Sequence, residues 1–242
     1  MPRLEPYSRK SEYSYALGIF PSLELMNRCP ERAQRLLISP EGLGNEGVEK
    51  LRRVCREAGV REEEAGRVLK RESRKDNCYA GIVFEKFEDE LVPSPCHVFL
   101  DHISDAGNLG TILRTLLGFG VKDVALSRPC TDPFDPHVIR ASMGARFGLR
   151  LHIYDAFEQY LAAFPEREYY PFMLDASVPL EEGVRMKNGP FTLIFGNEAT
   201  GLPPEFSRYG QPVRIPQTAD VDSLNLSIAC AVGTYRFLFT EV

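Results

Sequence analysis

From residue 97 onward, short apolar runs alternate with stretches whose apolar residues recur at helical spacing. The runs fall at 98–100, 121–125, 149–153, 170–174, 191–195 and 213–215, and a last helical stretch covers about 224–239. Strands separated by helices have crossover connections, so they pair side by side as a parallel sheet with helices on its faces. In an α/β fold of this kind the ligand loops lie beyond the carboxyl ends of the strands. Those loops are where function should be sought.

The clearest boundary upstream is EKFEDELVPSPCH, in which acidic residues lead into Pro93 and Pro95. Pro-x-Pro favours an extended, semi-rigid connection, which predicts a linker near 86–96. Before it, apolar segments at 35–39 and 79–84 alternate with helical patterns at 22–27 and 47–58, as in a small α/β unit. The expected division is therefore a first domain over 1–92 and a second over 97–242. The first contains Gly42-Leu43-Gly44-Asn45-Glu46-Gly47, a formal dinucleotide-binding glycine pattern. Such a site needs a second strand that ends in an acid about twenty residues on. The stretch found there, REEEAGRVLKRESRK, is polar and carries no strand signal, so a loop with a helix start is expected instead.

The 242-residue chain has a net charge of −5, which argues against a protein that coats nucleic acid by charge alone. Between Lys50 and Lys75, however, ten basic residues face five acidic ones, with Arg52, Arg53, Arg56, Lys70, Arg71, Arg74 and Lys75 prominent. This is either a solvated helix face or a local phosphate-contacting patch. The six cysteines are scattered singly without a CxxC pair, as expected of reduced thiols in a cytoplasmic protein. His97 and His102, five apart in a strand-like region, should point to opposite faces, and no metal site is expected. No apolar run reaches the length of a membrane span and the N-terminus lacks a secretory h-region, so no membrane association is expected.

Three loop segments stand out. In DHISDAGNLGTILRTLLGFGV (101–121) a strand runs into a polar turn, and a helix from about Gly110 carries Arg114. Asn108 is placed to cap that helix. Arg114, among Ile112, Leu113, Leu116 and Leu117, either snorkels or is held for a phosphate or carboxylate. In IFGNEATGLPPE (194–205) a strand stops on a glycine turn with a carboxylate, Glu198, at its centre. Glycine turns after strands usually cradle phosphates, which Glu198 would repel. In VRIPQTADVDSLNLSIACAVGTYRF (213–237) Ser223 is a plausible N-cap, and Asn225 would fall in the first turn of the helix. Ile228, Ala229, Ala231, Val232 and Tyr235 read as core.

Taken in order, N-x-G-x-x-x-R, F-G-N-E-x-x-G-L and I-P-(x)6-S-L-N-x-S resemble the three signature motifs of the SpoU (TrmH-type) RNA 2′-O-ribose methyltransferases of the SPOUT superfamily. DPFDPHVIRASMGARF resembles that family's intermediate segment, and YALGIFPSLELMNRC with DNCYAGIVF resembles its small ribosomal-protein-like substrate-binding domain. One departure is SDAGN, where the family often has proline after the aspartate. The resemblance implies a SPOUT-type parallel sheet with a C-terminal trefoil knot, a homodimer whose active site uses both chains, and S-adenosylmethionine (SAM) as cofactor. It also implies RNA, with ribosomal RNA favoured over transfer RNA, as substrate. SAM is a sulfonium cation without phosphate, so a carboxylate in its turn is tolerable. By resemblance Gly196, Asn197, Gly201, Ile215 and Leu224 bind the cofactor, while Arg114, Asn108, Glu198, Ser223 and Asn225 are the catalytic candidates. A protein that binds RNA but has lost transfer is the rival, against which the presence of Arg114, Glu198, Ser223 and Asn225 counts.

Overall fold

Residues 4–239 are described by a computed structural model, in which two compact units are assembled from interleaved stretches of chain. Strand β1 (Tyr13–Leu17), helix α1 (Ile19–Arg28), β2 (Ala33–Ile38), α2 (Glu46–Glu57), β3 (Arg61–Glu64), α3 (Gly66–Ser73) and β4 (Ala80–Glu85) come first. Their sheet has the order β1-β4-β2-β3, antiparallel except for the parallel β2–β3 edge. β3 corrects the reading of REEE as strandless. It is a polar strand at the sheet edge and completes a β2-α2-β3 crossover around the glycine pattern.

That pattern still makes a loop and a helix start. The side chain of Asn45 caps α2, accepting from the backbone N–H of Gly47 at 3.0 Å and of Val48 at 3.3 Å. Gly42 and Gly47 are there for close packing: a Cβ would lie 2.5 Å from the Tyr79 Cβ at the first and 2.7 Å from the Ile19 Cδ1 at the second. α2 turns Val48, Leu51 and Cys55 inward at helical spacing, onto Leu36, Ile38, Ile82 and Phe84.

The chain then enters the second unit with β5 (Cys96–Leu100), α4 (Ala106–Gly118) and β6 (Asp123–Ser127), returns to the first through α5 (Pro136–Ala141), and leaves again at residue 149. The stretch 132–148 thus belongs to the first unit, although a division at residues 92 and 97 would assign it to the second. The cause is burial: Phe134, Ile139 and Phe147 complete the core around Phe84. The buried Arg146 guanidinium lies over the rings of Phe134 and Phe87, at 4.5 and 4.8 Å.

The second unit continues with β7 (Arg150–Tyr154), α6 (Phe157–Ala163), β8 (Glu168–Pro171), β9 (Val178–Pro179), α7 (Leu180–Met186), β10 (Phe191–Phe195), β11 (Val213–Arg214) and α8 (Leu226–Phe239). Five strands form a wholly parallel sheet in the order β7-β6-β5-β10-β8. β5, β6 and β10 are buried along their whole length, as strands covered on both faces must be. His97, on β5, is buried and satisfied by the Tyr160 hydroxyl and the Val92 carbonyl, each at 2.9 Å. Burial, aided by the positive charge of Arg167, pushes its pKa down and keeps the ring neutral. His102 lies beyond the strand with φ 53°, so the opposite-face argument does not apply to it.

On α8 the inward residues are Ser227, Cys230, Gly233, Thr234 and Phe237. Ile228, Val232 and Tyr235 are exposed, which corrects their reading as core. Among the described residues no helix is long and apolar enough to cross a membrane.

Candidate functional site

Three loops meet at the carboxyl ends of the central strands. The first follows β5. Asp105 caps α4, its Oδ1 accepting from the Asn108 N–H at 2.7 Å. The helix therefore starts at Ala106, four residues earlier than its apolar spacing suggests. Asn108 sits in the first turn, with its side chain available for other partners.

The second loop is the glycine turn after β10. A Cβ on Gly196 would come within 2.3 Å of the Gly201 carbonyl carbon, and Gly201 itself has φ 69°, so both positions require glycine. The Asn197 side chain braces the turn from inside, its Oδ1 accepting from the N–H of Ala199 at 2.9 Å and of Thr200 at 3.3 Å. Its Nδ2 reaches across to the first loop and donates to the His102 carbonyl at 2.8 Å.

Glu198 answers the question its charge raises. Its Oε2 accepts from the Ser104 N–H (3.2 Å) and hydroxyl (3.0 Å), and its Oε1 from the Asp105 N–H (3.1 Å) and Asn108 Nδ2 (3.4 Å). The carboxylate faces the amino end of α4, where backbone donors and the helix dipole favour negative charge. Partial burial pushes its pKa up, but the N–H groups of Glu198 itself, Asp105 and Ser104 and the Ser104 hydroxyl outweigh it and hold the group below its usual value. It is an ionised strut between two loops, poorly suited to taking up a proton.

The third loop leads into α8. Asn225 rather than Ser223 caps this helix: its Oδ1 accepts from the Ser227 N–H at 2.9 Å and hydroxyl at 2.6 Å. Its Nδ2 donates to Asn108 Oδ1 at 3.1 Å. A continuous chain, Glu198–Asn108–Asn225, thus ties the three loops together.

Beside this chain opens a cavity of about 200 Å³. Its wall includes the 196–201 turn, Phe172, Met173, Ile215, Ser223, Leu224 and Ala229. Gly196, Asn197, Glu198, Gly201, Ile215, Ser223 and Leu224 therefore border one space. Asn108 and Asn225 join it through Glu198. Arg114 stands apart: it is exposed on α4, and its side chain makes no hydrogen bond or ion pair among the described residues.

Sequence reasoning missed the groups that hold the first loop. Ser127 Oγ donates to the buried Asp101 at 2.5 Å, and Thr131 donates through its N–H to the Ile103 carbonyl (2.7 Å) and through its hydroxyl to the Ser104 carbonyl (2.6 Å). Their only sequence signal is their place at the end of β6 (Ser127) and just after it (Thr131). Gln217, also on the cavity wall, closes its own loop by donating to the Asp222 carbonyl at 3.1 Å. Among the described residues no three His, Cys, Asp or Glu side chains cluster as metal ligands would.

Residues 95–235 match the SpoU rRNA Methylase family. An uncharacterized tRNA/rRNA methyltransferase of Synechocystis is 35% identical over 165 residues, which are 64% of this chain and 59% of that one, so the match spans less than two thirds of that relative. The 23S rRNA (guanosine(2553)-2′-O)-methyltransferase of Bacillus subtilis is 25% identical over 62% of this chain and 60% of its own. A crystal structure of an AdoMet-bound rRNA methyltransferase from Sinorhizobium meliloti superposes with a TM-score of 0.79 at 27% identity, covering 93% of this chain and 87% of that one.

Proposed function

We infer the reaction from one premise: the chain belongs to the SpoU rRNA methylase family. The proposed reaction is methyl transfer from SAM to a ribose 2′-hydroxyl of RNA in the cytoplasm. Ribosomal RNA is the favoured target, in keeping with the names of the Bacillus and Sinorhizobium relatives. Transfer RNA is the alternative, since the Synechocystis relative's name covers both.

The observation that carries the reading is the Glu198–Asn108–Asn225 chain beside the cavity. The cavity suits SAM in its chemistry. Phe172, Met173, Leu224 and Ala229 offer an apolar wall for an adenine, and the turn supplies main-chain groups. Glu198 and Arg214 are the charged side chains on the wall, with no cluster of cations such as a phosphate ligand would need.

Bound there, SAM supplies an electrophilic methyl group on a positively charged sulfur. The chain's own residues have three tasks. The braced turn, Ile215 and Leu224 hold and orient the donor, and the Asn108–Asn225 pair fixes the loops around it. Arg114 binds an RNA phosphate and stabilises the oxyanion developing at the 2′-oxygen, whose proton leaves to that phosphate or to water. A guanidinium is too basic to serve as the proton acceptor itself.

Arg114 borders no part of the cavity in its own chain, which favours a homodimer in which it serves a second copy's site. The surface for that contact is the stripe Ile228, Val232, Tyr235 and Phe239 on α8, exposed by 52, 37, 50 and 54%. Phe119, at the end of α4, packs against Tyr235 and Phe239. The first unit is the proposed RNA-binding part. Of its basic stretch, Arg52, Lys70 and Arg71 are spent on carboxylates, whereas Arg53, Arg56 and Lys75 are exposed and make no ion pair among the described residues. The test is to map ribose methylation in RNA from cells lacking the protein. Loss of methylation at a defined nucleotide of ribosomal RNA is expected; an unchanged map sinks the proposal.

A further inference from the structure

Residue 102 is the point where the first loop touches the cofactor turn, and its backbone is unusual. His102 has φ 53°, in the left-handed region that residues with a side chain rarely adopt. In this conformation its carbonyl accepts the Asn197 amide at 2.8 Å, the same amide group that braces the turn from within.

Two hydrogen bonds hold the conformation. The His102 N–H donates to Ser127 Oγ at 3.0 Å, and its ring Nε2 lies 2.7 Å from the Arg128 carbonyl. Its Nδ1 lies 3.1 Å from Asp101 Oδ2, a buried carboxylate oxygen that makes no hydrogen bond among the described residues; with Nε2 donating to a carbonyl, Nδ1 carries a hydrogen toward it only when the ring is protonated. A buried acceptor left without a partner is costly, and the imidazole stands directly in front of it. The backbone N–H and the ring are thus both tied to the end of β6 and the loop after it.

We propose that His102 is a positioning residue of the methyl-donor site: its left-handed backbone, held by the Ser127 and Arg128 contacts, aims its carbonyl at Asn197 and thereby sets the glycine turn that grips SAM. This rests on the proposed function. His102 itself touches no reacting atom, and its effect is on donor binding.

The test is a substitution series on the full chain, read by calorimetric SAM binding, by KM for SAM against KM for RNA, and by thermal melting without ligand. His102→Val, whose β-branch opposes the left-handed region, should weaken SAM binding by about tenfold and raise KM for SAM while leaving KM for RNA unchanged. His102→Asn, which adopts that region readily, should bind within about threefold of wild type. His102→Gly, free to adopt it but without a ring to lock it, should fall between them. If the Val variant fails to fold, the Asn and Gly pair decides, with Asn binding the tighter. A Val variant that melts earlier but binds SAM like wild type overturns the proposal, and so does an Asn variant as weak as Val or Gly. Wild-type protein that binds no SAM would instead remove the cofactor reading itself.

Discussion

Gly-Asn-Glu occurs twice in this chain, each time in the connection that follows a strand with a parallel neighbour. In the first unit it is Gly44-Asn45-Glu46, after β2; in the second it is Gly196-Asn197-Glu198, after β10. Asn45 spends its side chain on capping its own helix, and Glu46 projects into solvent. Asn197 braces its own turn and also reaches His102, while Glu198 collects donors from Ser104, Asp105 and Asn108. The tripeptide is the same and the neighbours are not. The first turn is closed on itself, whereas the second is one face of a site because other loops converge on it.

The largest expected effect lies on the helix those loops position. Arg114→Lys keeps the charge but loses the planar fork that can grip a phosphate and face the 2′-oxygen together. Methyl transfer should fall by roughly a hundred- to a thousandfold, about 2.7–4 kcal/mol, with SAM affinity nearly intact. Single-turnover kinetics beside calorimetry checks this, and a rate within a few fold of wild type would return Arg114 to a snorkelling role.

Next come the paired carboxylates. Glu198→Ala strips the acceptor from Ser104, Asp105 and Asn108 and should cost about 1–3 kcal/mol in SAM binding. Glu46→Ala should leave SAM binding unchanged and shift stability by no more than about 0.5 kcal/mol. Equal effects from the two would erase the contrast between the turns.

The paired asparagines should separate stability from binding. Asn45→Ala removes a helix cap and should lower unfolding free energy by about 1 kcal/mol without changing SAM affinity. Asn197→Ala should act chiefly on SAM affinity. Denaturant melts beside binding titrations would tell, and the reverse pattern would break the comparison.

The smallest effect is on pH. Because the folded protein holds Glu198 below its ordinary 4.5, its contribution is complete above that value and is lost as pH falls through the lower folded one. Wild-type SAM affinity should therefore decline in that acid range, and Glu198→Gln should flatten this part of the profile. A parallel decline in both proteins would assign the effect elsewhere.

Much of the second unit can be read from its sequence because its strands are covered on both faces. Such strands are continuous apolar runs, and the run at 191–195 coincides with β10. The misplaced features each lack a local signal. β3 is an edge strand of Arg and Glu, so neither alternation nor apolarity marks it. α8 is apolar around most of its circumference, so periodicity cannot say that Ile228 and Tyr235 face outward. Residues 132–148 join the first unit through Phe134, Ile139 and Phe147, a pairing of distant segments that no window reveals. At the site the residue types were visible but their partners were not. Cap propensity alone could not choose Asp105 over Asn108 or Asn225 over Ser223, and nothing in a linear motif places Ser104 against Glu198.

The central claim is that the converging loops of the second unit perform methyl transfer to a ribose oxygen. It is tested most directly by incubating the purified full chain with methyl-labelled SAM and ribosomal RNA, digesting the RNA to nucleosides and locating the label. The account predicts label in one 2′-O-methylnucleoside, and none with the Arg114→Lys protein on the same timescale. Label on a base, or no label from protein that binds SAM and RNA, would contradict it.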